Sequence, residues 1–229
     1  HNNYMKYDYD VVVIGAGSAG LTAASGFQKI GKKVLLVEKE HMGGECTNSG
    51  CIPSKALLHQ ARNYHNAKSI AGENKKSDSY RNEAFKYVRS VVDGVLEHET
   101  PEIFVAKGID VVMGEAEFVA PCSIRVGENE YGYKNAIIAT GSSPRSLDIP
   151  GVDSKDILTN QNLFELTTLP KNLLIIGGGP IGMEMGQAFA MLGSNVTIAD
   201  ISDRFARLED KAISLIAEKV FNDLGVTIH

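Results

Sequence analysis

VVVIGAGSAGLTAASGFQKIGKKVLLVEKE, residues 11–40, opens on an apolar run, bends at Gly-x-Gly-x-x-Gly, continues with apolar residues at helical spacing, turns at Gly31 and closes on a second apolar run ending in Glu38. That grammar is strand, tight turn, helix, strand. NLLIIGGGPIGMEMGQAFAMLGSNVTIADI, residues 172–201, repeats it with Gly193 at the turn and Asp200 at the end. Gly15 and Gly177 permit the turn out of the strand, Gly17 and Gly179 let backbone approach a pyrophosphate, and Gly20 and Gly182 allow helix and strand to pack closely. N–H groups at the following helix's N-terminus then receive the phosphates. Glu38 and Asp200 stand equally far beyond the first glycine, where a carboxylate accepts hydrogen bonds from a ribose hydroxyl. One such pattern is weak; two, each with flanking strands and a terminal acid, predict two dinucleotide-binding folds. A carboxylate at Asp200 repels a 2′-phosphate, so NAD(H) is expected over NADP(H), although Arg204 and Arg207 follow closely.

The bulk composition limits the alternatives. The 229 residues are 43% hydrophobic and 22% charged with a formal net charge of -5. Mild acidity and the lack of a basic run argue against nucleic acid or an anionic membrane as partner. No stretch reaches the roughly 18 apolar residues of a membrane span, and the run Val11 to Ile14 is too short for a secretory signal. A reducing, cytoplasmic setting is expected, which makes a purely structural disulfide improbable. Residues 1–4 precede Met5 and read as a tag remnant.

Between the repeats, two helices are expected, from Cys51 to about Ala71 and from about Tyr80 to His98, with GENKKSDS as their loop. IDVVMGE, AEFVA, SIRVG, EYGYK and NAIIAT then read as short strands, the last running into a bend at Thr140, Gly141 and Ser142. The predicted fold class is α/β: two Rossmann-like folds with a small antiparallel β-meander insertion, the second fold truncated. The expected domains are 5–150 and 151–229.

GGECTNSGCIPSK, residues 43–55, holds two of the three cysteines. Cys46 and Cys51 cannot bridge within a regular helix, so TNSG must fold back, with Asn48, Ser49 and Gly50 as turn formers and Pro53 in the first turn of a helix beginning near Cys51. A small strained ring is easily reduced, which suits a redox couple better than a staple. A helix N-terminus favours the Cys51 thiolate, and Lys55 lies one turn on. Two inert thiols, or a zinc site using His41 or His59, are the competing readings; zinc wants about four ligands, so no metal is expected. Cys122 reads as a packed thiol.

Taken in order, GAGSAG with Glu38, GGECTNSGCIPSK, ATGSSPR and GGGPIGMEMG with Asp200 resemble the pyridine nucleotide-disulfide oxidoreductases, the flavoprotein family that includes dihydrolipoamide dehydrogenase, glutathione reductase and mercuric reductase. The resemblance implies FAD in the first fold, with contacts at Gly15, Gly17, Ser18, Gly20, Glu38, Lys39, Gly44, Glu45, Ala116, Thr140, Gly141 and Ser142. It implies NAD(P)H in the second, at Gly177, Gly179, Gly182 and Asp200. Glu45 stands where many members carry Thr. Cys51 would be the thiol against the flavin, Cys46 the interchange thiol facing substrate, and Lys55 would pair with Glu184. The implied substrate is a small disulfide, dithiol or metal ion. Full-length members are homodimers whose carboxyl-terminal part supplies a His-Glu acid-base pair to the other subunit. This chain closes on GVTIH, within the second fold, so the longer parent is expected to be the enzyme and the chain alone is not expected to turn over. A diaphorase with idle cysteines and a non-catalytic nucleotide-binding fragment are the alternatives.

Overall fold

The computed structural model describes residues 7–71, 77–145 and 147–229. The expected start at Met5, the tag remnant and most of the GENKKSDS loop lie outside these. The chain forms two compact units, residues 1–52 with 92–161 and residues 53–91 with 162–229.

In chain order the elements are β1 (Tyr9–Ile14), α1 (Ser18–Lys29), β2 (Val34–Glu38), α2 (Gly44–Asn48), α3 (Cys51–Ala71), α4 (Ser77–Leu96), α5 (Pro101–Ala106) and β3 (Asp110–Met113). There follow β4 (Ala116–Ala120), β5 (Ser123–Val126), β6 (Asn129–Ile138), α6 (Asn160–Leu163), β7 (Asn172–Ile176), α7 (Pro180–Leu192), β8 (Asn195–Ala199), α8 (Lys211–Asp223) and β9 (Thr227–Ile228).

The first unit is built on a six-stranded sheet ordered β3-β2-β1-β6-β5-β4. β1 is parallel to β2 and to β6, whereas β4, β5 and the start of β6 run antiparallel. The stretches EYGYK and NAIIAT, expected as separate strands, are one strand of ten residues. Its first part pairs antiparallel with β5 and its second parallel with β1, so the polar break at Lys134 and Asn135 changes the partner and not the direction. Lys134 and Asn135 hold that junction through the Asp10 carboxylate and carbonyl.

Period-two alternation sorts the central strands onto two cores. Val11, Val13, Val34 and Leu36 face Ala16, Leu21, Ala24, Phe104 and Ile109 of the helical side. Val12, Ile14, Leu35 and Val37 face Ile124, Val126 and Tyr133 of the meander. Burying each such aliphatic side chain contributes about 2 kcal/mol, which holds the strand ends, and the turns that leave them, in place.

The second unit carries a parallel sheet ordered β7-β8-β9, the same spatial order as β1-β2-β3. Its core joins Leu57, Ala61, Phe85 and Val88 of the α3–α4 pair to Ala188, Phe189, Leu192 and Ile198 of the second glycine fold. Phe85 and Phe189 pack ring to ring with centroids 6.2 Å apart.

Candidate functional site

Both glycine turns are forced by sterics. Gly15 has φ 104°, and a methyl there would lie 2.3 Å from the Ala139 carbonyl oxygen, so the turn is pressed against the strand end that leads into Thr140. A methyl at Gly20 would lie 1.8 Å from the Gly15 oxygen, and at Gly182 it would lie 2.0 Å from the Gly177 oxygen. The third glycine of each turn thus seats the helix on the first glycine's carbonyl as well as on the strand. α1 begins after Gly17 and α7 after Gly179, and among the described residues no side chain caps either. First-turn N–H groups are left to meet an anion.

Glu38, 9% exposed, accepts the Ala16 N–H at 2.6 Å and the Glu40 N–H at 2.7 Å. Asp200 repeats this on Gly178 N–H at 2.5 Å and Ser202 N–H at 2.7 Å. Each acid braces the turn whose pattern predicted it. Hydrogen bonds from Ser202 and from the Gly178 N–H hold the Asp200 carboxyl below the usual carboxylate range, with a smaller contribution from the Arg207 charge. Arg204 donates to the Arg207 carbonyl at 2.6 Å, so the loop backbone engages that guanidinium.

The first turn has a cover that the spacing of its own glycines did not reveal. Gly43 N–H donates to the Ala16 carbonyl at 2.9 Å, and a methyl at Gly44 would lie 2.6 Å from the Gly17 Cα. The Gly-Gly doublet was the available signal. Around this turn Ser18 opens α1, Lys39 pairs with Glu115 at 3.4 Å, and Ala116 opens β4. The Gly114 N–H donates to the Glu38 carbonyl at 2.7 Å, two residues before Ala116. Exposed Glu45 accepts Asn160 Nδ2 at 2.9 Å, while Thr140, Gly141 and Ser142 are exposed beyond β6. A cavity of 650 Å³ lies between α1, the end of α4 and α5, with Glu99 in its wall.

Gly44 also starts α2, the helix that carries Cys46. Asn48 Nδ2 closes it by donating to the Met42 and Gly44 carbonyls at 2.9 and 2.8 Å, and Ser49 N–H returns to the Glu45 carbonyl. At Gly50 the chain passes so close that a methyl would lie 2.9 Å from the Glu45 oxygen and 3.4 Å from the Cys46 Cα. This fold-back sets Cys51, first residue of α3, beside Cys46. Both are free thiols. The Cys51 thiol raises the Cys46 pKa, as do burial, the charge on Cys51 and, least, the Glu99 carboxylate, while the Cys51 backbone N–H acts in the opposite direction.

In the second unit, Lys55 Nζ donates to Glu184 Oε1 in an ion pair, with Glu184 two residues beyond the last glycine of the second turn. No described atom lies within 4 Å of a methyl placed at Gly177 or Gly179, so that turn is open where the first is covered.

A pyridine nucleotide-disulphide oxidoreductase model matches residues 9–229. The chain belongs to that family. As an oxidoreductase sequence it is 34% identical over 230 residues to a mercuric reductase of Bacillus cereus, covering 99% of this chain and 36% of the relative. It is 38% identical over 233 residues to the dihydrolipoyl dehydrogenase of Bacillus subtilis, covering 96% and 48%. The HOCl-induced flavoprotein disulfide reductase RclA of Escherichia coli superposes with a TM-score of 0.83 at 33% identity, over 96% of this chain and 48% of that one. The chain spans half or less of the length of these oxidoreductases. Among the described residues no helix is long and apolar enough to cross a membrane, and no group of three or more His, Cys, Asp or Glu is placed to hold a metal ion.

Proposed function

We propose that the protein bearing this chain is an FAD-dependent oxidoreductase that takes reducing equivalents from NADH in preference to NADPH and exchanges them, through the Cys46–Cys51 couple, with a small-molecule disulfide, dithiol or metal ion. The observation that carries this is the fold-back at Gly50, which brings Cys51, first residue of α3, beside Cys46 on the short helix whose first residue, Gly44, packs on the first glycine turn. Homodimeric assembly and a cytoplasmic setting belong to the same reading.

The residues fit FAD: a Cβ would fill the cradle at Gly15 and Gly20, and α1 presents an uncapped first turn. Gly15, Gly17, Ser18, Gly20 and Gly44 would hold the pyrophosphate, Glu38 and Lys39 the ribose, with Glu45, Ala116, Thr140, Gly141 and Ser142 lining the remainder. Bound there, FAD supplies the hydride acceptor for the nicotinamide and the electron pair that opens a Cys46–Cys51 disulfide. Gly177, Gly179, Gly182 and Asp200 would hold NADH; a carboxylate kept ionised by its two N–H donors disfavours a 2′-phosphate. The Lys55–Glu184 pair fixes an ammonium beside the second helix.

In the dithiol, Cys46 loses its proton and attacks one sulfur of a substrate disulfide, expelling the first substrate thiol. Cys51 then attacks the Cys46 sulfur, releases the second thiol and restores the internal bond. With its pKa raised by Cys51 and by burial, Cys46 attacks faster when a general base takes its proton. Anaerobic reduction of FAD-loaded full-length protein with NADH, followed by thiol trapping, should label Cys46 and Cys51 together. NADH consumption with neither cysteine labelled would refute the proposal.

A further inference from the structure

Glu99 follows α4 and is remote in sequence from the cysteine loop, yet its Oε2 accepts the Thr47 hydroxyl at 2.8 Å. Thr47 is 4% exposed and adjoins Cys46. The same Oε2 would lie 2.4 Å from a methyl at Gly43, so the carboxylate occupies the space under the turn that covers the first glycine loop. A buried hydroxyl bonded to a carboxylate is costly to leave unpaired, so the contact resists release. One side chain thereby touches both ends of the short piece of backbone that carries Cys46.

We propose that Glu99 is a positioning residue for the cysteine couple: through the Thr47 hydroxyl it clamps α2 in place, and it sets its negative charge beneath the turn that carries the Cys46 sulfur. This rests on the redox reading of Cys46 and Cys51. The groups acting on Cys46 are Cys51 across the turn, whose backbone N–H opposes the rise, and Glu99; the Glu45 carboxylate on its own helix is engaged by Asn160. Glu99 is the smallest of the influences that raise the Cys46 pKa, so its removal has a modest effect.

The test is the pH dependence of iodoacetamide alkylation at Cys46, resolved from Cys51 and Cys122 by peptide mass spectrometry, on the reduced 229-residue chain. Glu99→Gln keeps a carbonyl acceptor for Thr47 and drops the charge. It should alkylate Cys46 about threefold faster at pH 7.5, as expected for a partly screened carboxylate. Thr47→Val, which frees the carboxylate to swing toward water, should move the profile the same way, and Thr47→Ser should not. This second pair decides the matter if Glu99→Gln fails to fold. Profiles of Glu99→Gln or Thr47→Val that superimpose on the parent's would overturn the role of Glu99. Diamide, which takes the two thiol hydrogens, reports separately on the couple. If the disulfide closes in every variant while the profiles coincide, only Glu99's role falls; if it closes in none, the redox reading falls, and this proposal with it.

Discussion

Replacing Gly50 with alanine puts a methyl carbon 2.9 Å from the Glu45 carbonyl oxygen and 3.4 Å from the Cys46 Cα, all backbone atoms that cannot rotate away. Relief requires the two arms of the fold-back to part by a few tenths of an ångström, and those arms carry Cys46 and Cys51. Overpacking of this kind costs about 1–3 kcal/mol. The strain falls on the form that holds the sulfurs closest, which is the disulfide. Since about 1.4 kcal/mol is tenfold in an equilibrium constant, the glutathione-linked constant for closing the Cys46–Cys51 bond should fall roughly tenfold. The assay equilibrates the chain with defined ratios of reduced and oxidised glutathione, quenches with acid and counts closed and open peptide by mass. An equilibrium constant for Gly50→Ala within twofold of the parent's would show that the close approach at Gly50 does not set the pairing of the thiols.

Other perturbations separate the fold from the site. Gly20→Ala, whose methyl would meet the Gly15 oxygen at 1.8 Å, should abolish FAD retention by the full-length protein, whereas Gly26→Ala, with no described atom within 4 Å on the exposed side of the same helix, should stabilise the chain by about 0.5–1 kcal/mol in urea unfolding. Phe189→Ala empties a fully buried site against Phe85 and should cost about 3–5 kcal/mol in the same assay. Because the folded pKa of Asp200 lies below its unfolded value, its contribution to stability is complete above the usual aspartate pKa and disappears as pH falls through the folded one. Asp200→Asn should therefore flatten the acid limb of stability measured by thermal melts across the acid range, and a limb of unchanged steepness would contradict the bonds drawn to Gly178 and Ser202.

The two glycine turns were legible because each is a local problem: the positive φ at Gly15 and Gly177 and the helix start after Gly17 and Gly179 depend on a few consecutive residues. The cysteine turn was legible in part for the same reason. TNSG announces a fold-back, but that Gly50 must pass against Glu45 is a fact of distance, not of spacing. The strand β6 was divided in two because its polar middle looks like a turn; only the neighbouring strands reveal that it serves a meander at one end and a parallel sheet at the other.

By itself the sequence determined the repeated strand-turn-helix-strand unit, the acids that close it and the turn between Cys46 and Cys51, since these follow from backbone sterics and short-range periodicity. Only the tertiary structure decided that the middle of the α3–α4 pair shares a core with the second glycine fold, that Gly43 and Gly44 cover the first turn, and that Glu99 reaches Thr47. Those contacts join residues far apart in the chain, where no local period exists and the outcome rests on which buried surfaces and hydrogen-bond donors find one another.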